Sequence, residues 1–262
     1  MTTLACIILC HNEVEHIQDC VKSTLFADDA LVFIDARSPL ADEIAQLAES
    51  AGARTQRRVF DNYAAQRNAA LEAVQTDWVL FVDADERVTP ELAEETRRVI
   101  ASGNAVGYGV PRDNYIFGRL TRHAGWYPDY QTRLLRRGHA SYDPARPVHE
   151  VAVLDGEKGY LQSAFIHYNY RDLGQFIAKQ RAYADIDAGI LYAEGVRPRA
   201  RDLVLQPLRQ FRWRFVTLKG YQDGLHGLQL SALMAWYEWL KYRKLGVRWK
   251  MKPKMPDQHP AE

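Results

Sequence analysis

The stretch VLFVDADERV, residues 79–88, runs four apolar residues into Asp83, Asp85 and Glu86. A short apolar run bounded by polar residues reads as a strand buried on both faces, the kind found in parallel sheets. Its end is harder to account for. Three carboxylates so close together repel one another unless water or a cation lies between them. Side chains of an extended chain alternate, so Asp83 and Asp85 are expected on one side and Glu86 on the other, where it binds nothing. Two readings stay open at this point. One is a solvated strand end. The other is a clasp for a hard ion, Mg2+ or Mn2+, whose remaining ligands are water and a substrate's phosphate oxygens.

The chain around this stretch alternates strands and helices. LACIILCHN (4–12), ALVFIDA (30–36) and ARTQRRVF (53–60) read as strands. Helices are expected over 13–26, over 39–52 closed by Gly52, and over 62–75. Another is expected over 89–103, with Thr89 as N-cap, Pro90 in the first turn and Gly103 as the stop. Such alternation implies an α/β fold, a Rossmann-like and mostly parallel sheet with helices on both faces. Ligands of such sheets bind at the carboxyl ends of the strands. Those ends offer His11, Asn12 and Glu13, then Asp35, then Asp83 and Asp85. Beyond Gly103, short strands rich in Gly, Pro and aromatics follow. Residues 1–170 are expected to form the catalytic and binding domain. Residues 171–250 read as a helical, basic and aromatic extension, and 251–262 as a disordered tail.

Bulk properties narrow the class. The 262 residues are 47% hydrophobic and 26% charged, ordinary values for a chain with a sizeable core. Three cysteines (Cys6, Cys10, Cys20) offer no CxxC pair and no disulfide framework, which fits a reducing cytosol. The N-terminus carries no basic leader, and no run of eighteen apolar residues is present, so no span of a bilayer is expected. Net charge is +1, yet residues 196–254 hold 14 Lys and Arg against three acids. That asymmetry points to an anionic surface near the C-terminal part.

Several motifs, taken in order, carry a family resemblance. CIILCHNEVEHI, the strand ending at Asp35, YAAQRNAALEAVQTDWVLFVDADERV, GWYPDYQTRLLRRG, PVHE and GYQDGLHG together resemble glycosyltransferase family 2. The match is to the small bacterial branch resembling lipopolysaccharide-core β-glucosyltransferases. The resemblance implies a GT-A type fold, a nucleotide-sugar donor with UDP-glucose as default, a divalent cation (Mg2+ or Mn2+) and inversion at the anomeric carbon. It implies that Asn12 and Glu13 line the nucleotide pocket, that Asp35 accepts from base or ribose, and that Arg67 and Asn68 approach the nucleotide or its diphosphate. Asp83 would contact ribose and metal, and Asp85 the metal. The loop after the second strand, IDARSPLADE, departs from the family's D-S-G-S-x-D pattern.

Breaking a sugar–diphosphate bond builds negative charge on the leaving group, which a cation and Arg67 would stabilise. The acceptor hydroxyl needs a general base. Asp129 in WYPD and Glu150 in VHE are the candidates, with His149 beside Glu150 as a metal or phosphate contact. The C-terminal stripe (Arg209, Phe211, Arg212, Trp213, Arg214, Phe215, Trp236, Trp239) fits core packing, nucleic-acid stacking or a membrane interface, and the last is preferred. No nucleic-acid motif accompanies it. The expected enzyme moves a sugar onto a lipid-linked glycan while peripherally bound at the cytosolic face of a bacterial membrane. The rivals are a polyprenyl-phosphate sugar synthase, a haloacid-dehalogenase-like phosphatase, which wants its D-x-D on the first strand, and an inactive sugar-binding protein.

Overall fold

A computed structural model describes residues 1–143 and 151–251. The chain forms two compact units, Met1–Tyr115 with Tyr127–Asn169, and Ile116–Trp126 with Tyr170 onward.

The first unit opens with β1 (Leu4–Cys10), α1 (Val14–Thr24), β2 (Asp29–Asp35), α2 (Ala41–Ser50), β3 (Arg54–Arg58), α3 (Tyr63–Glu72) and β4 (Trp78–Asp83). The apolar runs become strands because sheet residues between helical layers lose water on both faces. Trp78 to Val82 are at most 2% exposed, and each large side chain buried this way contributes roughly 1.5–3 kcal/mol. A two-residue strand, β5 (Glu86–Arg87), and α4 (Pro90–Ser102) follow. Thr89 caps α4, its hydroxyl accepting from the Leu92 N–H at 3.1 Å, and Gly103 ends it at φ +68°.

Next come β6 (Gly107–Val110), β7 (Arg112–Ile116), β8 (Arg119–Thr121), β9 (Gln131–Arg136), β10 (Ala140–Tyr142), β11 (Ala152–Leu154), β12 (Lys158–Tyr160) and β13 (Phe165–Tyr170). The main sheet has the order β12-β6-β9-β4-β1-β2-β3. β1 to β4 pair in parallel, whereas β9 runs antiparallel to both β4 and β6. This inserted strand brings its amino end, with Arg133, to the carboxyl end of β4. β5 pairs with β13 through Glu86↔His167 and Arg87↔Ile166. β4 stops at Asp83, and Ala84 and Asp85 form a turn. The strand alternation that put Asp83 and Asp85 on one face therefore does not apply to Asp85.

The second unit holds α5 (Leu173–Ala193), α6 (Asp202–Arg212), a π-helical turn at Trp213–Thr217, a 3-10 turn at Gly220–Asp223 and α7 (Gly224–Met251). Its core gathers Ile116, Tyr170, Phe176, Leu230 and Met234. GYQDGLHG has a local folding role here: Asp223 accepts from the His123 N–H at 2.9 Å and lies 2.8 Å from His123 Nδ1. A Cβ on Gly227 would stand 1.8 Å from the Gly220 carbonyl oxygen, so only glycine lets α7 start against that turn.

Candidate functional site: the cleft at the ends of β1, β2 and β4

A cleft of about 530 Å³ opens at the carboxyl ends of β1, β2 and β4, lined among others by Glu13, Asp35, Arg67, Asp83, Asp85 and Arg133. Its rim is built by short loops. Glu13 folds back on its own turn, one oxygen accepting from the His11 and Asn12 N–H groups at 2.7 and 2.9 Å. Asn12 accepts from the Ser38 hydroxyl at 2.8 Å and so ties the end of β1 to the loop after β2. Asp35, buried at the end of β2, accepts from the Arg37 and Phe60 N–H groups at 3.0 and 3.1 Å and lies 3.1 Å from His11 Nδ1. Burial works against its charge, but those N–H donors and nearby cations hold its carboxyl below the usual range.

The floor is a chain of buried charges. Arg67, brought in by α3, is 5% exposed; it lies over Phe81 and Tyr142 at 5.0 and 5.7 Å and reaches Asp83 at 3.4 Å. Arg133 bonds the other oxygen of Asp83. Burial disfavours the Asp83 carboxylate, yet the positive charges of Arg133, Arg67 and Arg112 outweigh it and hold the group ionised far below the ordinary range.

Glu86 occupies the centre of this floor. It is fully buried, accepts from the Asp83 N–H at 2.9 Å and lies 3.6 Å from Arg112 and 4.0 Å from Arg133. Burial and the Asp83 charge push its carboxyl up. The expectation that Glu86 binds nothing is overturned: once the strand ends at Asp83, the turn swings Glu86 inward to pair with β13. Arg112 in turn grips Asp129 at 2.8 and 2.5 Å, and Gln131 donates to the same carboxylate at 2.8 Å. Burial opposes the charge of Asp129, but Arg112 and these donors keep its carboxyl below the usual range.

Asp85 is differently placed. Its carboxylate faces His167 Nε2 at 3.6 Å, too far for a hydrogen bond. The other ring nitrogen of His167 lies 2.6 Å from Asn114 Oδ1. An amide oxygen only accepts, so Nδ1 donates to it and Nε2 is the nitrogen left toward Asp85. A second partner that fixes the tautomer in this way is the usual support of a metal-binding histidine. A carboxylate and an imidazole nitrogen facing one another suit Mg2+ or Mn2+ whose other ligands come from phosphate and water. Among the described residues, no three His, Cys, Asp or Glu converge on one ion.

The glycosyl transferase family 2 model matches residues 5–168. The chain belongs to that family. It is a glycosyltransferase of α/β, GT-A type architecture, as the resemblance implied. It is 29% identical over 261 residues to the lipopolysaccharide core biosynthesis glycosyltransferase LpsC of Rhizobium meliloti, covering 95% of this chain and 94% of the relative. It is 24% identical to an uncharacterized glycosyltransferase of Rickettsia bellii, over 92% of this chain and 85% of that one. Among solved structures, S. aureus TarS 1–349 in complex with UDP aligns with TM-score 0.49 and 14% identity, over 98% of this chain and 95% of that one. Glucosyl-3-phosphoglycerate synthase of Mycobacterium tuberculosis with Mn2+, UDP and its product aligns with TM-score 0.46 and 14% identity, over 76% and 82%.

Among the anticipated site residues of this glycosyltransferase, Glu13, Asp35, Arg67, Asp83 and Asp85 share the cleft wall. Asn68 points elsewhere: its amide donates to the Tyr142 carbonyl and accepts from the Tyr142 N–H, both at 2.8 Å. His149 and Glu150 lie outside the described residues. Arg112 and His167 are two further residues that the structure brings to this region. Neither carries a local motif, and only pairing of β5 with β13 brings His167 to Asp85. Of Arg133, Arg136 and Arg137, the first lines the cleft, while Arg137 bonds the Thr76 carbonyl at 2.9 Å.

Proposed function

We propose that the chain transfers a sugar from a nucleoside-diphosphate sugar, UDP-glucose by default, to a hydroxyl of a lipid-linked glycan such as lipopolysaccharide core. The observation that carries this reading is Asp85 on the wall of a cleft whose floor holds Arg67 and Arg133 in place, with the buried His167 3.6 Å from it. Glu13, Asp35 and Asn12 form the rim against which base and ribose bind. Asp83, both oxygens engaged by arginines, fixes those guanidiniums rather than offering itself to an ion. Asp85 and His167 would hold Mg2+ or Mn2+, which supplies positive charge to the departing diphosphate.

The acceptor oxygen forms its bond to the anomeric carbon as the bond to the diphosphate breaks, inverting that centre. The acceptor proton goes to a carboxylate. Asp129 is a poor base because Arg112 stabilises its ionised form, so Glu150 is the preferred base and His149 its acceptor-side neighbour. No helix among the described residues is long and apolar enough to cross a membrane. A lipid-linked acceptor is therefore met by peripheral contact, at the cytosolic face in this reading, and no nucleic acid is involved.

Thermal-shift titration with a panel of nucleotide-sugars and Mn2+ tests the donor. One of them should raise the melting temperature only when the ion is present, and His167→Ala should abolish the ion's effect; a panel without response would refute the reading. Glu150→Gln should cut transfer by about 10²–10⁴-fold and Asp129→Asn far less; the reverse order would move the base to Asp129.

A further inference from the structure

α6 buries none of its eleven residues, whereas α5 and α7 of the same unit each bury at least four. Short helices gain most of their stability by covering an apolar face. The outward face of α6 is nonetheless apolar: Val204, Leu205 and Leu208 are 59%, 54% and 60% exposed. At 3.6 residues per turn these three fall within an arc of about 100° that also contains Arg201 and Arg212, with Arg209 about 40° beyond it. All three arginines are exposed. The π-helical turn extends the surface with Trp213 and Val216, 45% and 54% exposed.

Charge on this segment has one sign. Residues 196–216 contain six arginines and a single acid, Asp202. That acid is engaged in folding, accepting from the Arg199 N–H at 2.7 Å. A face meant for water would not present valine and leucine together. A face meant for the apolar core of a protein interface would not interleave them with guanidiniums that make no ion pair among the described residues. An anionic bilayer meets both demands, its phosphates pairing with arginine and its acyl boundary accepting the aliphatic side chains.

We propose that α6 and the turn after it form an interfacial anchor, lying in the surface of an anionic bilayer with Val204, Leu205 and Leu208 inserted and Arg201, Arg209 and Arg212 at headgroup level. The anchor deepens the lipid-linked acceptor reading, since it names the surface through which the enzyme meets its acceptor's membrane. It needs no span, and the residues involved are remote in role from donor binding.

Flotation of the full chain with phosphatidylcholine vesicles, with and without phosphatidylglycerol, tests it. The wild type should float with the anionic vesicles and release as salt rises. Replacing Arg201, Arg209 and Arg212 by Gln should weaken binding about fivefold per residue. Leu205→Ser with Leu208→Ser should weaken it further, and binding of UDP-glucose with Mn2+ in solution should be unchanged in both variants. Absence of wild-type flotation, or equal flotation of the arginine variant, would overturn the anchor; because those three side chains are on the surface, that variant keeps its fold. A self-association that Leu208→Ser abolishes, without vesicle binding, would assign the face to a second copy instead. Intact vesicle binding by a chain that binds no nucleotide-sugar would leave the anchor standing and remove the donor reading.

Discussion

Both ends of the central sheet carry aspartates at strand termini, and the two sets behave differently. At the amino ends, Asp28 accepts from the Leu4 N–H at 2.8 Å and meets Arg97 at 2.9 Å. Asp29 pairs with Arg54 through two contacts at 2.8 and 2.7 Å. Asp77 accepts from the Thr3 N–H and hydroxyl at 2.9 and 3.0 Å. These acids stitch neighbouring strands together at the surface. At the carboxyl ends, Asp35 and Asp83 are held by buried donors and guanidiniums, and Asp85 faces a cleft beside a histidine it does not touch. A strand-end aspartate is therefore no sign of chemistry in itself. What separates the two ends is burial: Arg67 and Arg133 meet Asp83 out of water, whereas Arg54 and Arg97 meet Asp29 and Asp28 at the surface.

The largest test of this contrast is Asp85→Asn. Sugar-transfer turnover should fall by about 10²–10³-fold with little change in melting temperature; an equal fall in Asp77→Asn would erase the distinction. Arg133→Ala comes next, because it strips a counterion from Asp83 and Glu86 in the interior. Urea denaturation should show a loss of about 3–5 kcal/mol, and a loss no greater than that of a surface pair would mean that water already reaches the floor.

Acid titration gives a smaller, signed effect. The carboxyl of Asp35 ionises below its ordinary 3.8 in the fold. Its stabilisation is then complete above the unfolded value and lost as pH falls through the lower folded value. Between about pH 4 and 2 the stability of Asp35→Asn should accordingly decline less steeply than that of the wild type. A parallel decline would show that Asp35 is not the group being protonated. The smallest effect belongs to Asp77→Ala, with turnover unchanged and a melting temperature lowered by only a few degrees.

The parallel core was legible because its signals are local. Apolar runs, the Thr89–Pro90 start and the Gly103 stop each decide structure within a few residues. The antiparallel insertion of β9 was not legible, since nothing within QTRLLR encodes a direction and only its neighbours fix its orientation. The site divides along the same line. Glu13, Asp35, Arg67, Asp83 and Asp85 follow strands or helices whose ends can be counted. Arg112, Arg133 and His167 enter through pairings between residues that lie tens of positions apart. Glu86 was misassigned for a single physical reason: period-two alternation was extended three residues beyond the last residue of β4, across a turn that reset the direction of every side chain after it.

Asn68 and Arg67 are consecutive on α3 but face different company. Arg67 reaches Asp83 on the cleft floor, while the amide of Asn68 offers Tyr142 one donor and one acceptor, in effect standing in for a missing residue of a neighbouring strand. A single helix is thus fastened at adjacent positions to the cleft floor and to the backbone of β10. α3 cannot shift under Arg67 without either dragging Tyr142 along or breaking two hydrogen bonds. The QRN triplet is in that sense a mechanical joint, with one hand on the cleft floor and the other on β10.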